Sequence, residues 1–301
     1  MAMRITSQMT ARHTIRDLNG DMNTLSAIQR KMSSGKEITR PSDNPYGTSR
    51  ALALGGEVAG LQQYQRNVDD GTAWLNAADA SLSKIGDAVQ RVRELLIQSG
   101  SDSAGPRARE AAAAEIDQLI ETVKQESNVQ YAGRFIFSGT ATDRTPYTLN
   151  GADTYNGNAD TIQREIGPGV ELDINVGVSP LLGNGQAARD DLLLNTLRDI
   201  ADDMRSGDGD RLRGTDIVRL DRNFDALNQI RADVGARTNR LEVASGRLAA
   251  LEENSIELRS QVEDADTVKT LIDYTTQQAA YNMALKAGSA VVQNSLMDFL
   301  R

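Results

Sequence analysis

The residue types that can do chemistry are scattered. Residues 183–188, Gly-Asn-Gly-Gln-Ala-Ala, match the G-x-G-x-x-A pattern that brings a backbone close to a pyrophosphate, and Asp208 follows where a ribose ligand is expected. That site also needs a second parallel strand after its helix. Here the chain runs instead into Ser206-Gly207-Asp208-Gly209-Asp210 and a helical pattern, so the glycines read as turns between a strand and a helix. Asp208 and Asp210 could begin a calcium loop, but the position of the bidentate glutamate is taken by Arg219. His13 is the sole histidine and cysteine is absent, which removes His-based metal sites, Ser-His triads and thiolate chemistry together. Glu263, Asp264 and Asp266 precede the last helix, where negative charge is favoured by the dipole, and read as capping or interface groups. Trp74 adjoins Leu75 and reads as packing. The chain reads as a non-enzyme with no catalytic residue, metal or cofactor site.

The elements that would have to position any site are mostly helices. Aromatic residues make up 4% of the chain and hydrophobic residues 39%, a balance that favours helices packed along seams. A net charge of -9 argues against nucleic acid. Arg4, Arg12 and Arg16 interrupt the amino-terminal segment, so a cleaved secretory signal is not expected. Residues 274–297 carry one charge, Lys286, but too many Gln, Asn, Ser and Thr for a membrane span.

Ile15, Leu18, Met22, Leu25 and Met32 follow a heptad seam. Gly35 can end that helix in the left-handed conformation, with Lys36 at its negative pole, and Pro41 and Pro45 forbid a continuous helix. Asn44 then caps the next helix, with Pro45 in its first position. The result is an elbow at Gly35, Pro41, Asn44 and Pro45. Beyond it Leu54, Leu61, Val68, Leu75, Leu82, Val89 and Leu96 recur at heptad spacing, with a bend expected at Asp69-Asp70-Gly71. Leu220, Leu227, Val234, Leu241, Leu248 and Val262 repeat the pattern, Ser255 being its polar step. Shorter helices are expected from Pro106 and over 189–204. Residues 135–137, 161–166 and 170–176, with turns at Asn150-Gly151 and Gly167-Pro168-Gly169, read as short strands.

The expected fold is mainly α with a β-rich insertion: a long antiparallel helical bundle with paired terminal helices and a small β domain projecting from mid-chain. Three layers follow: 1–40 with 265–301 as a terminal coiled coil, 41–134 with 189–264 as a helical rod, and 135–188 as the β-rich layer. The last helix stands apart. Leu271, Tyr274, Tyr281, Leu285, Val292 and Phe299 form one stripe, and Val268, Ile272, Ala279, Val291, Leu296 and Leu300 a second. A helix apolar on two faces expects neighbours on both. The two terminal helices are therefore expected to pair, to pack among copies of the same or related chains, and to be largely disordered beforehand.

"MRITSQM", "KMSSGKEITRPSDNP", "QYQRN", "WLNAAD", "VGARTNRLE", "VEDAD" and "SLMDFL", in this order, resemble the flagellin superfamily of bacteria, as do "YAGRFIFSGTATDRTPY" and "TYNG" in the middle. The two elbow prolines and the Asp-Phe-Leu ending are more similar to members at the hook-filament junction than to flagellin proper. Asn44 stands where those members are expected to carry Asp. The resemblance implies export without a cleaved signal to an extracellular flagellum, ring-like self-association, and an adaptor role between hook and filament. Implied partners are the first hook-associated protein on the hook side, flagellin on the filament side and an export chaperone. A minor flagellin is the alternative, and a cytoplasmic coiled-coil binding protein a remoter one.

Overall fold

The computed structural model describes residues 2–101, 105–186 and 188–299, with the backbone alone at residues 2–8, 10, 11 and 290–299. The chain divides into two compact units, Met1–Gly60 with Leu251–Arg301, and Leu61–Ala250. The divisions fall inside α2 (Pro45–Ser99) and α7 (Ile217–Glu263).

In the Leu61–Ala250 unit the heptad leucines do what their spacing dictates. Leu75, Leu82, Leu96, Leu220, Leu227 and Leu241 are fully buried, or nearly so. The two helices run antiparallel: Arg93 pairs with Asp221, Asp79 with Arg231, and Gln65 Nε2 donates to Ser245 Oγ at 2.8 Å. The step at Asp69-Asp70-Gly71 stays helical, and Gly71 allows a close approach. A Cβ there would lie 2.9 Å from Ile174 Cγ2 and 3.3 Å from Leu241 Cδ1. Helix α3 (Pro106–Ser127) lays Ala113, Ile116, Ile120 and Val123 into the same core.

The β segments share that core. Strands β1 (Gln130–Tyr131) and β2 (Arg134–Phe135) form one small antiparallel ribbon, and β3 (Gln163–Gly167) and β4 (Val170–Asp173) another. Strand pairing stops at Asp173, yet Ile174 and Val176 stay buried beyond it, as Leu172 is before it. Ile136, Phe137 and Tyr147 are fully buried beside them, and Trp74 meets Tyr131 edge to face at 6.0 Å. Helices α4 (Ser179–Leu182) and α5 (Leu193–Ser206) follow; α5 begins later than the polar residues from 189 led one to expect.

Among the described residues two charged groups, Lys124 and Asp216, are fully buried. Lys124 has no exposed side-chain surface; its Nζ donates to Glu121 Oε1 at 3.1 Å, Asp153 Oδ1 at 3.1 Å and the Gly151 carbonyl at 3.0 Å. Arg198 closes the cluster from α5 onto Asp153 and Asp117. Burial pushes the Asp153 carboxyl up, but hydrogen bonds and charge from Arg198 and Lys124 outweigh it and hold the pKa below the usual range.

The second buried group is Asp216, at the end of a single π-helical turn, Leu212–Asp216, that follows the short helix α6 (Gly209–Arg211). No N–H or hydroxyl donor reaches either of its oxygens or Asp203 Oδ2, and the two carboxyls hydrogen-bond to each other when Asp216 carries a proton. Arg211 engages Asp203 Oδ1 at 3.1 Å, while Arg219 spends its Nη2 on Asp191 and Asp199 and comes no nearer to Asp216 than 3.9 Å. Burial, then the charge of Asp203, pushes Asp216 up to about 6 from an ordinary 3.8. The folded pKa lies above the unfolded one, so the favourable contribution is complete below pH 3.8 and lost as pH rises through about 6. Asp216→Asn is expected to raise stability at pH 8 by about 2 kcal/mol, and to have little effect near pH 4. Denaturant titration followed by Trp74 fluorescence at both pH values checks this.

Candidate assembly interface

The Met1–Gly60 and Leu251–Arg301 unit is built around the elbow. Helix α1 (Ala2–Ser34) ends where Gly35 takes a φ of 69°, its N–H still reaching the Lys31 carbonyl at 2.8 Å. Pro41 lies in the exposed turn after Arg40. Asn44 Oδ1 accepts from Gly47 N at 2.9 Å, capping α2 as Pro45 opens it. Gly47 completes the corner, since a Cβ there would sit 2.6 Å from Ile38 Cδ1. Asp43 accepts from Thr39 and from Arg40 N, which holds its carboxyl below the usual value.

A second corner, between α7 and α8 (Thr267–Phe299), locks onto the first. Glu37 N donates to the Glu263 carbonyl at 2.8 Å and Ala265 N to the Gly35 carbonyl at 2.9 Å, a one-step antiparallel bridge at Lys36 and Asp264. The Lys36 ammonium pairs with Glu263 instead of serving the end of α1. Asp266 Oδ1 accepts from Val268 N and Lys269 N, the helix cap expected of that acidic run.

From this double corner α1 and α8 run back antiparallel. Gln29 Nε2 donates to Tyr274 Oη at 3.3 Å, Gln277 Nε2 to Asp21 Oδ1 at 3.0 Å, and a Cβ on Gly288 would meet Thr14 Cγ2 at 3.0 Å. The seam between them uses Leu18, Asp21, Leu25 and Ile28 from α1, and Thr270, Tyr274, Gln277, Tyr281 and Gly288 from α8. Small and polar groups fill half of it. Ile15, Met22, Met32, Leu271 and Leu285 are turned to solvent with 42 to 55% of their surface exposed, and Val268 and Ile272 more so. Of the predicted stripes, Leu18, Leu25, Tyr274 and Tyr281 are thus partly covered within the chain, and the other described side chains are not. The side chains of Val291, Val292, Leu296, Phe299 and Leu300 lie outside the described residues. Gly288 had no signal in the periodicity because it continues no apolar stripe, whereas Ile28, three residues after Leu25 and four before Met32, was passed over for the heptad step at residue 29.

Residues 5–142 match the bacterial flagellin N-terminal helical region, and residues 217–300 the bacterial flagellin C-terminal helical region, together about three-quarters of the chain. The chain belongs to the bacterial flagellin family. Over 302 residues it is 25% identical to the flagellar filament 31.3 kDa core protein of Treponema maltophilum, covering 99% of this chain and 100% of that one. In fold this family member is similar to a flagellar hook-associated protein of Vibrio parahaemolyticus, with a TM-score of 0.67, 20% identity and coverage of 74% and 100%. It is similar also to the flagellar hook associated protein-3 of Legionella pneumophila, with a TM-score of 0.61, 14% identity and coverage of 70% and 98%. It is a structural component of the bacterial flagellum. Among the described residues no helix is long and apolar enough to cross a membrane.

The glycine and aspartate candidates lie in the Leu61–Ala250 unit. Gly183 and Gly185 take positive φ in a turn preceded by α4, not by a strand, and the turn is closed by Tyr147 Oη donating to the Gly183 carbonyl and by Asp190 accepting from Asn184 N. Asp208 caps α6 through Arg211 N, and Asp210 pairs with Arg213. His13 is exposed on α1.

Proposed function

We propose that this chain is the adaptor at the hook-filament junction, self-associating in a ring through α1 and α8. The observation that carries the reading is the row of large apolar side chains left outward on both terminal helices after they have paired with each other. The double corner supports it, because a hydrogen-bonded bridge ties the roots of both helices together and presents them as one body. In this reading residues 1–40 and 265–301 form the inner assembly layer, 41–134 and 189–264 the rod, and 135–188 the outward layer. The first hook-associated protein lies on the hook side, flagellin on the filament side, and an export chaperone covers α8 before assembly. The role is mechanical, with no catalytic step and no cofactor.

The near full-length similarity to a filament core protein keeps a minor flagellin as the second reading. Electron microscopy separates the two. Purified chain added to isolated hooks is expected to form a short terminal segment that then accepts flagellin. Growth of the chain alone into long filaments would establish the second reading instead.

A further inference from the structure

Seven of the eight methionines fall within residues 1–34 and 267–299; Met204 is the exception. Met9, Met22, Met32 and Met283 are 47 to 66% exposed, whereas Met204 is 1% exposed in the core of the Leu61–Ala250 unit. Met22 lies one heptad beyond Ile15 on α1, and Met283 lies eleven residues, three helical turns, beyond the exposed Ile272 on α8, so these thioethers lie among the apolar groups that self-association would cover. Methionine suits such a surface, being unbranched and able to repack against unlike neighbours.

We propose that Met9, Met22, Met32 and Met283 form an oxidant-sensitive site that controls assembly, open to peroxides in the free chain and shielded once the chain is incorporated; this rests on the assembly role of α1 and α8 proposed above. The thioether sulfur attacks one oxygen of hydrogen peroxide; an S–O bond forms, the O–O bond breaks, and the second oxygen leaves as water. Sulfur is oxidised by two electrons and peroxide is reduced. The product sulfoxide is polar and chiral, and placing it in a dry helix seam leaves a strong acceptor without a donor. A methionine sulfoxide reductase reverses the change by returning two electrons from a thiol. Met204 reacts only when the core opens.

The test treats the purified full chain with millimolar hydrogen peroxide, maps each methionine by peptide mass, and measures incorporation onto hooks isolated from cells lacking this chain. The four exposed methionines are expected to gain oxygen about tenfold or more faster than Met204, and incorporation to fall about tenfold. Both sulfoxide reductases with a thiol should restore it. M9L/M22L/M32L/M283L, a near volume-conserving change, should incorporate equally before and after peroxide. Oxidised wild-type chain incorporating normally, the leucine variant losing incorporation as wild type does, or Met204 reacting alongside the others would overturn the proposal. Failure of untreated chain to join hooks at all would instead bring down the assembly role, and the proposal with it.

Discussion

Lys124→Ala is expected to destabilise the Leu61–Ala250 unit by about 3–5 kcal/mol, the cost of stripping one partner from a buried ion cluster. The ammonium is the shared donor for Glu121, Asp153 and the Gly151 carbonyl. Arg198 still reaches Asp153, but nothing in its position replaces the bond to the Gly151 carbonyl. The cluster ties α3 to the segment around Gly151 and Asp153 and to α5, so its loss should loosen the β-rich part first. Lys124→Met restores most of the lost volume and separates packing from charge. If it is nearly as damaging as Lys124→Ala, the charge account holds. Urea titrations read through Trp74, the single tryptophan, measure both variants.

Leu285→Asp should act the other way round, leaving the fold intact and abolishing incorporation into hooks by about a hundredfold or more. Leu285 is outward on α8, so an aspartate there remains hydrated in the free chain. Pressed into an apolar contact between copies, the same carboxylate loses water without gaining a cation, a cost of several kcal/mol. Trp74 fluorescence should follow the wild-type urea curve. Normal incorporation of this variant, with the substitution confirmed, would place the assembly surface elsewhere.

Much of this was legible in the sequence, and the exceptions have physical causes. The heptad leucines of α2 and α7 were read correctly because each helix buries one continuous stripe, so period alone assigns the face. The elbow was equally readable, since Gly35, Asn44 and Pro45 act through local backbone chemistry. The stripe on α8 was not resolved into inner and outer residues, because a helix apolar on two sides carries no periodic signal for which side its intrachain neighbour takes. The choice is made by Gln277 reaching Asp21 and by Gly288 admitting Thr14, contacts between residues far apart in sequence. The bridge between Gly35 and Ala265 is hidden for the same reason. Lys124 carries no sequence signal of burial, since only the fold brings Asp153 and the Gly151 carbonyl to it. Asp203 and Asp216 lie on either side of a turn, where nothing in their spacing foretells a shared buried space.

Amide hydrogen exchange on the full chain, alone and after incorporation onto hooks, tests most directly whether the terminal helices need neighbours. A lone helix pair with its larger apolar side chains outward gains little burial to offset chain entropy. Residues 12–32 and 268–289 are therefore expected to exchange quickly in the free chain and slowly after incorporation, while the heptad core of α2 and α7 stays protected in both. Terminal helices already fully protected in the isolated chain, and unchanged by hooks, would contradict the account.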